Sequence, residues 1–359
     1  MYLPLIYKKQ SVFGLDIGQH AAKFLELSKT SHTYQLIGMG TATLKPDTII
    51  EGVIAEPEHL AESIRAAMNT PTVGRIRARS VAVGLPQAHL FTRTINLPVM
   101  DKEKLAEAVQ WESQQYIPMP MSDLYMDFEI VEDKKDAAGE LKEYEIFLVA
   151  APRAIIDSYL KLLDFLKLTP HSFETTLAAN IRALHPASEM DKTVLVLDVG
   201  STATDMAIVT DTIKVSTTTP FGGDLVTEIL ASKLKVSDQH AEEIKIKFGV
   251  ADSGLRQKVE AALAPVLNQL MTEILKLIKY HQERSADEKH RRVEKLLITG
   301  GASHMPGLAN LLASKTRLPV DLTSAWEHHS VRLKTPLPQE VTSSFTTAFG
   351  LALRGYIND

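Results

Sequence analysis

The sequence predicts an α/β protein with mixed sheets, and three features predict it. Apolar runs of strand length alternate with amphipathic runs of helix length along the chain. An acidic, glycine-tipped strand–turn–strand unit is written twice, as FGLDIGQHAAKFLEL at 13–27 and as VLVLDVGSTATDMAIV at 194–209. The two copies lie about half the chain apart, far longer than a solenoid repeat, so the pattern reads as two related halves.

The elements follow in order. SVFGLDIG is a buried strand, and AAKFLELSKTSHTYQLIGMGTATL supplies further strands. EPEHLAESIRAAM is a helix, with Pro57 in its first turn and Leu60, Ile64 and Met68 on one face. RSVAVGLP and LFTRTINLP are short strands ended by Pro86 and Pro98. Asp101 is a suitable N-cap for KEKLAEAVQWESQQYI, which Pro118 and Pro120 stop. DLYMDFEIV and YEIFLVAAP flank the charged loop EDKKDAAGELKE and predict a hairpin with a solvated tip. RAIIDSYLKLLDFLKL is a helix with Ile156, Tyr159, Leu163 and Leu166 in one stripe, and TLAANIRAL is another.

The second half restarts at Val194 with the repeated hairpin. IKVSTTTPFGGD leads into the helix LVTEILASKL, and DQHAEEIKIKFG is a helix with a glycine stop. LRQKVEAALAPVLNQLMTEILKLIKYHQER is a long amphipathic helix in which Pro265 predicts a kink or a split. KLLITGGASHMPGLANLLASKT reads strand, glycine turn, helix, and FTTAFGLALRG is a closing helix.

Composition narrows the function classes. At 359 residues the chain is long enough for two or three domains. A net charge of −5 gives no basic field for nucleic acid. The absence of cysteine removes disulfides, thiolate metal sites and cysteine nucleophiles. No run of about 18 apolar residues predicts a membrane span. In MYLPLIYKK, Lys8 and Lys9 follow the apolar run, the reverse of a secretory signal; the stretch reads as a docked or frayed terminus with at most a weak membrane-surface contact.

The glycine turns can carry phosphate chemistry. Glycine lets backbone N–H groups approach phosphate oxygens, and an aspartate at a strand end can hold a magnesium ion, usually through its waters. The first hairpin offers Asp16, Gly18, Gln19 and Lys23; the second offers Asp198, Gly200, Ser201, Thr202 and Asp205. A single such turn is weak evidence, but two in matching settings could grip one triphosphate from both sides. The pairs Gly222–Gly223 and Gly300–Gly301 each precede a helix, a setting suited to phosphate or adenosine. There is no P-loop and no dinucleotide-binding fingerprint.

The order of the two hairpins, FGGD, AEEIK, TGGAS and FTTAFGLALRG resembles the actin, hexokinase and heat-shock-chaperone superfamily over about residues 11–355. That resemblance implies an actin/ribonuclease-H-like, two-lobed ATPase fold binding ATP and Mg2+. Asp16 and Asp198 would position the metal and serve catalysis. Gly18, Gln19 and Lys23 would contact phosphates from one lobe, and Gly200, Ser201 and Thr202 from the other. Gly222 and Gly223 would lie near the terminal phosphate. Glu242 and Lys245 would touch ribose and adenine, although their spacing alone reads as a surface ion pair. Gly300, Gly301 and Ser303 would line the adenosine pocket, and Glu174 would orient the attacking water. Ala203 stands where relatives have a threonine, and Gln19–His20 replace small residues. ATP binding with slow or absent hydrolysis is therefore expected.

An insert at about 80–150 is similar to the extra subdomain of FtsA and of the PilM-like type IV pilus assembly proteins. WESQQYIPMP, FGGDLVTEILASKL and AEEIKIKFG favour the PilM-like group, as does the ending LALRGYIND, without the amphipathic tail of FtsA. The implied division is a first lobe at 11–190 containing the insert and a second lobe at 191–330 with a smaller part at about 224–292. A segment at 331–359 would return to the first lobe. The implied role is a cytoplasmic scaffold under the inner membrane, without membrane insertion of its own. It would bind the N-terminal cytoplasmic peptide of PilN in a groove between first lobe and insert. Pilus motor ATPases and other alignment-complex proteins would be further partners, and a homo-oligomer is compatible. Tyr116, Met119 and Met121 form a candidate lip, or pack within the insert. A filament-forming FtsA-like protein and a sugar or acetate kinase stay open as alternatives.

Overall fold

The computed structural model describes residues 11–30, 33–135, 139–185, 191–251, 254–285, 288–322, 324–333 and 336–356. The MYLPLIYKK segment lies outside them. β1 (Val12–Ile17), β2 (Ala21–Thr30) and β3 (Thr33–Thr43) form an antiparallel meander. The short strands β4 (Ile49–Ile50) and β5 (Val53–Ile54) lead into α1 (Pro57–Asn69). β6 (Val73–Gly74) pairs on β3, and β7 (Ser80–Leu85) runs parallel to β1.

The chain then leaves the sheet. β8 (Phe91–Pro98), α2 (Lys102–Ser113), β9 (Leu124–Lys135) and β10 (Leu141–Pro152) form a separate three-stranded unit in the order β8-β10-β9. Leu105 and Val109 of α2 pack on Ile95, Leu97, Ile146 and Leu148. Asp101 precedes α2 but makes no side-chain cap bond. The separate sheet thus starts at Phe91, not near residue 80 as expected from sequence. β7 sits between β1 and β11 (Thr169–Thr175), with all six residues buried. A short apolar strand carries no local mark of which sheet it joins.

α3 (Arg153–Leu166) buries its stripe of Ile156, Tyr159, Leu163 and Leu166 in the core under the first sheet. α4 (Thr176–Leu184) follows β11, capped by Thr175, whose hydroxyl accepts from the Ala178 N–H. The second sheet is built from β12 (Val194–Val199), β13 (Thr204–Val209) and β14 (Ile213–Thr219). Then come α5 (Gly223–Leu234), α6 (Asp238–Lys247) and α7 (Arg256–Arg284). β15 (Lys295–Thr299), α8 (Leu308–Thr316) and β16 (Val320–Leu322) complete the layer. After α9 (Ala325–His328), β17 (Val331–Arg332) returns to the edge of the first sheet beside β3. α10 (Gln339–Ser344) and α11 (Thr346–Leu353) close the chain.

The duplication read from sequence extends to whole sheets. The orders β3-β2-β1-β7-β11 and β14-β13-β12-β15-β16 correspond strand for strand. In each, the first three strands are antiparallel and the last two join in parallel. α4 and α11 lie at the junction. Leu177 and Leu184 of α4 pack on Val194, Val196, Ala207, Val209 and Leu297 of the second sheet, each buried leucine contributing roughly 1.5–3 kcal/mol. Ala179 and Ala183 face α11 instead. The approach is so close that a Cβ at Gly350 would collide with the Ala179 carbonyl, and one at Gly14 with that of Ala348.

α7 continues through Pro265 as one helix, with no split. Pro265 and Ala261 are exposed, so the carbonyl left without its usual partner faces water. By length and composition α7 could cross a membrane, its mean hydropathy reaching 1.3. Yet Val259, Leu263, Leu267, Leu270 and Ile274 belong to the core beneath the second sheet. That is the pattern of an amphipathic core helix.

Candidate functional site: a cleft between two acidic hairpins

The two hairpin turns are closed in the same way. The Gly18 N–H donates to the Ala21 carbonyl at 3.0 Å, and the Gly200 N–H to the Ala203 carbonyl at 2.9 Å. Both turns face one cleft of about 290 Å³. Asp16, Gly18, Gln19, His20 and Lys23 line it from one side. Asp198, Gly200, Ser201, Thr202 and Asp205 line it from the other, with Thr299, Gly300 and Gly301 beside them.

Cross-strand register sets the charges. Asp16 lies opposite Lys23, whereas Asp198 lies opposite Asp205. Burial pushes the Asp198 carboxyl up to about 7; Asp205 and Asp16 add to the shift, while the Asn180 hydrogen bond and Lys23 oppose it. Burial likewise lifts Asp205 to about 6, against the bond it accepts from Thr218 at 2.6 Å. Burial raises Asp16 as well, with the Lys23 charge opposing the shift without cancelling it. Three half-buried acids beside one lysine fit a cation, whose charge would offset their mutual repulsion. Among the described residues no three His, Cys, Asp or Glu side chains converge as a direct metal cage. A magnesium ion here would therefore take most of its ligands from water and phosphate, its usual habit.

Asp198 is held from below. Its Oδ2 accepts from Asn180 Nδ2 at 2.7 Å, and Asn180 Oδ1 accepts from the Thr347 hydroxyl at 3.0 Å. α4 and α11 thus aim the carboxylate. Gly300 adopts φ +92°, and a Cβ there would collide with Asp198. Asn180, Thr347 and Thr346 escaped the sequence reading. The available signal was a lone asparagine on the apolar stripe of α4 and a Thr-Thr pair opening α11.

Several sequence-predicted residues lie elsewhere. Glu174 does not line the cleft: its carboxylate pairs with Arg182 at 2.5 Å, and Arg182 also donates to the Gly350 carbonyl. The pair joins β11 to α4 and, through Arg182, to α11. Gly222 and Gly223 do not line it either. The Gly223 and Asp224 N–H groups donate to the Gly200 and Ser201 carbonyls, so this loop braces the second hairpin. A Cβ at Gly222 would strike Ser201. The buried Ser303 hydroxyl donates to the Gly300 carbonyl and tightens the turn. Glu242 and Lys245 form the helical ion pair at 2.6 Å, and Lys245 also donates to the Gly223 carbonyl and Thr227 hydroxyl. Gln19 and Lys23 line the cleft with their polar ends already engaged, by the Ile49 and Ser344 carbonyls.

The family model described as type IV pilus assembly protein PilM matches residues 14–356. The chain belongs to the PilM family. The solved PilM–PilN type IV pilus biogenesis complex matches with a TM-score of 0.85 and 26% identity, covering 98% of this chain and 100% of that one. FtsA of Enterococcus hirae is 23% identical over 331 residues, 83% of this chain and 74% of that protein. MreB 5 of Spiroplasma citri bound to AMPPNP shares the fold, with a TM-score of 0.55 and 12% identity over 96% and 95% of the two chains. The PilM family and these likenesses establish the actin-like fold that the two hairpins and duplicated sheets imply.

Proposed function

We propose that this chain is an ATP-binding, slowly hydrolysing or non-hydrolysing scaffold of type IV pilus assembly. The observation that carries it is the pair of matched hairpins presenting Asp16 and Asp198 to one cleft. In this reading the lobes are 11–190 and 191–330, and 331–359 returns to the first. A nucleotide would lay its phosphates between the turns at Gly18 and Gly200, with adenosine near Gly300 and Gly301. Magnesium would supply the positive charge that the acids lack. Lys23 and Asn180 orient Asp16 and Asp198 by charge and hydrogen bonding. Slow turnover is supported by Glu174, which Arg182 holds outside the cleft, and by Ala203 in place of a threonine.

The partner in this reading is the cytoplasmic N-terminal segment of PilN, the protein named with PilM in the matching complex. Residues 91–152 carry 13 acidic and 6 basic side chains, a net −7 against −5 for the whole chain. An acidic insert suits the Lys- and Arg-rich flank that membrane proteins keep in the cytoplasm. This would hold the scaffold under the inner membrane, where it links PilN to the pilus motor. Thermal melts of the full chain test both halves. Mg-ATP and a synthetic PilN peptide should each raise the melting temperature, and Asp198→Ala should remove only the ATP shift. A wild-type melt unmoved by ATP sinks the nucleotide reading, and one unmoved by the peptide sinks the partner.

A further inference from the structure

We infer that His20 and Asp224 form a gate over the phosphate end of the cleft and set how fast nucleotide leaves; this rests on the nucleotide reading above. His20 sits at the tip of the first hairpin and lines the cleft. Its Nε2 lies 2.9 and 2.8 Å from the two carboxylate oxygens of Asp224, 204 residues away in the other half. Asp224 is fixed in place: its N–H donates to the Ser201 carbonyl at 2.8 Å, and it stands in the first turn of α5. The pair therefore ties the tip of one phosphate hairpin to the brace of the other.

Exposure decides what such a tie can do. The side chains are 64% and 45% exposed, and a pair so open to water adds little to stability. It can form and break quickly without unfolding anything, which suits a closure and not a staple. Glu242 of α6 also feels the His20 charge, but its carboxylate is already paired with Lys245 at 2.6 Å. Asp224 is thus the carboxylate bonded to the ring. The bond between ring and carboxylate is therefore the whole of the tie, and removing either partner should open it.

The test is stopped-flow release of a fluorescent ATP analogue from the full chain, chased with excess ATP. His20→Asn and Asp224→Asn should each release faster than wild type by up to about five-fold, the range expected for one exposed pair. The double variant should release no faster than either. His20→Asp combined with Asp224→His should restore slow release. Melting temperatures should stay at the wild-type value, excluding a folding cause. Wild-type release rates in His20→Asn overturn the gate. A flat equilibrium titration of wild type with the analogue overturns the nucleotide reading, and the gate with it.

Discussion

The first hairpin places a lysine where the second places an aspartate: Asp16 faces Lys23, and Asp198 faces Asp205. Their turns are closed by the same glycine bond, and their sheets share one topology. The difference is electrostatic and confined to the return strand. The first hairpin sets a lysine across from its acid, while the second sets another acid there, and burial raises all three carboxyls. Identical backbone therefore serves two duties. The first hairpin sets one acid against one base. The second sets two acids side by side, an arrangement whose repulsion a bound cation would offset.

The largest expected effect breaks or confirms this contrast through pH. The folded-state values of about 7 for Asp198 and about 6 for Asp205 lie above the ordinary carboxylate range. Between the unfolded and folded values the folded protein holds more protons, so stability is present at low pH and lost as pH rises through that window. Ligand-free protein should lose on the order of several kcal/mol from these groups between pH ~4 and ~7. Urea melts of wild type and of Asp198→Asn plus Asp205→Asn give the difference. Parallel profiles would show that the second hairpin is no different from the first.

A smaller effect compares the two return strands directly. Lys23→Met removes the partner of Asp16 and a bond to the Ser344 carbonyl, and should cost about 1–3 kcal/mol. Asp205→Asn, at the matching register, should stabilise the ligand-free protein by about 1 kcal/mol, since the amide oxygen can still accept from Thr218. Opposite signs at equivalent positions sharpen the comparison. Equal signs in denaturant melts would mean that burial alone governs both sites.

What the sequence made legible follows the same division. Asp16, Asp198 and their glycines were readable because a short turn carries its own signature within a few residues. The duplicated sheets were readable because the second copy repeats the apolar spacing of the first. Asn180 and Thr347 were not, because their partnership spans 167 residues and exists only once α4 and α11 pack together. The FGGD loop was recognised as a glycine loop, but local sequence could not show that its N–H groups are already held by the Gly200 and Ser201 carbonyls. β7 reads as part of the insert for a related reason: its sheet neighbours β1 and β11 lie far from it in sequence.

Glu174 gives the smallest expected effect and isolates the cleft from its surroundings. The side chain lies on β11, the first-sheet counterpart of β16. Its carboxylate is joined to Arg182, which also holds the Gly350 carbonyl at the tight crossing of α4 and α11. Glu174→Gln keeps the shape and one acceptor but removes the charge, so it should lower stability by about 1 kcal/mol. Nucleotide affinity and any turnover should change less than two-fold, because the carboxylate does not reach the cleft. A structural brace and a water-orienting group are separated by this single change. Loss of turnover with unchanged melting would put Glu174 in the reaction, whereas loss of melting temperature with unchanged nucleotide binding keeps it as a brace at the crossing of α4 and α11.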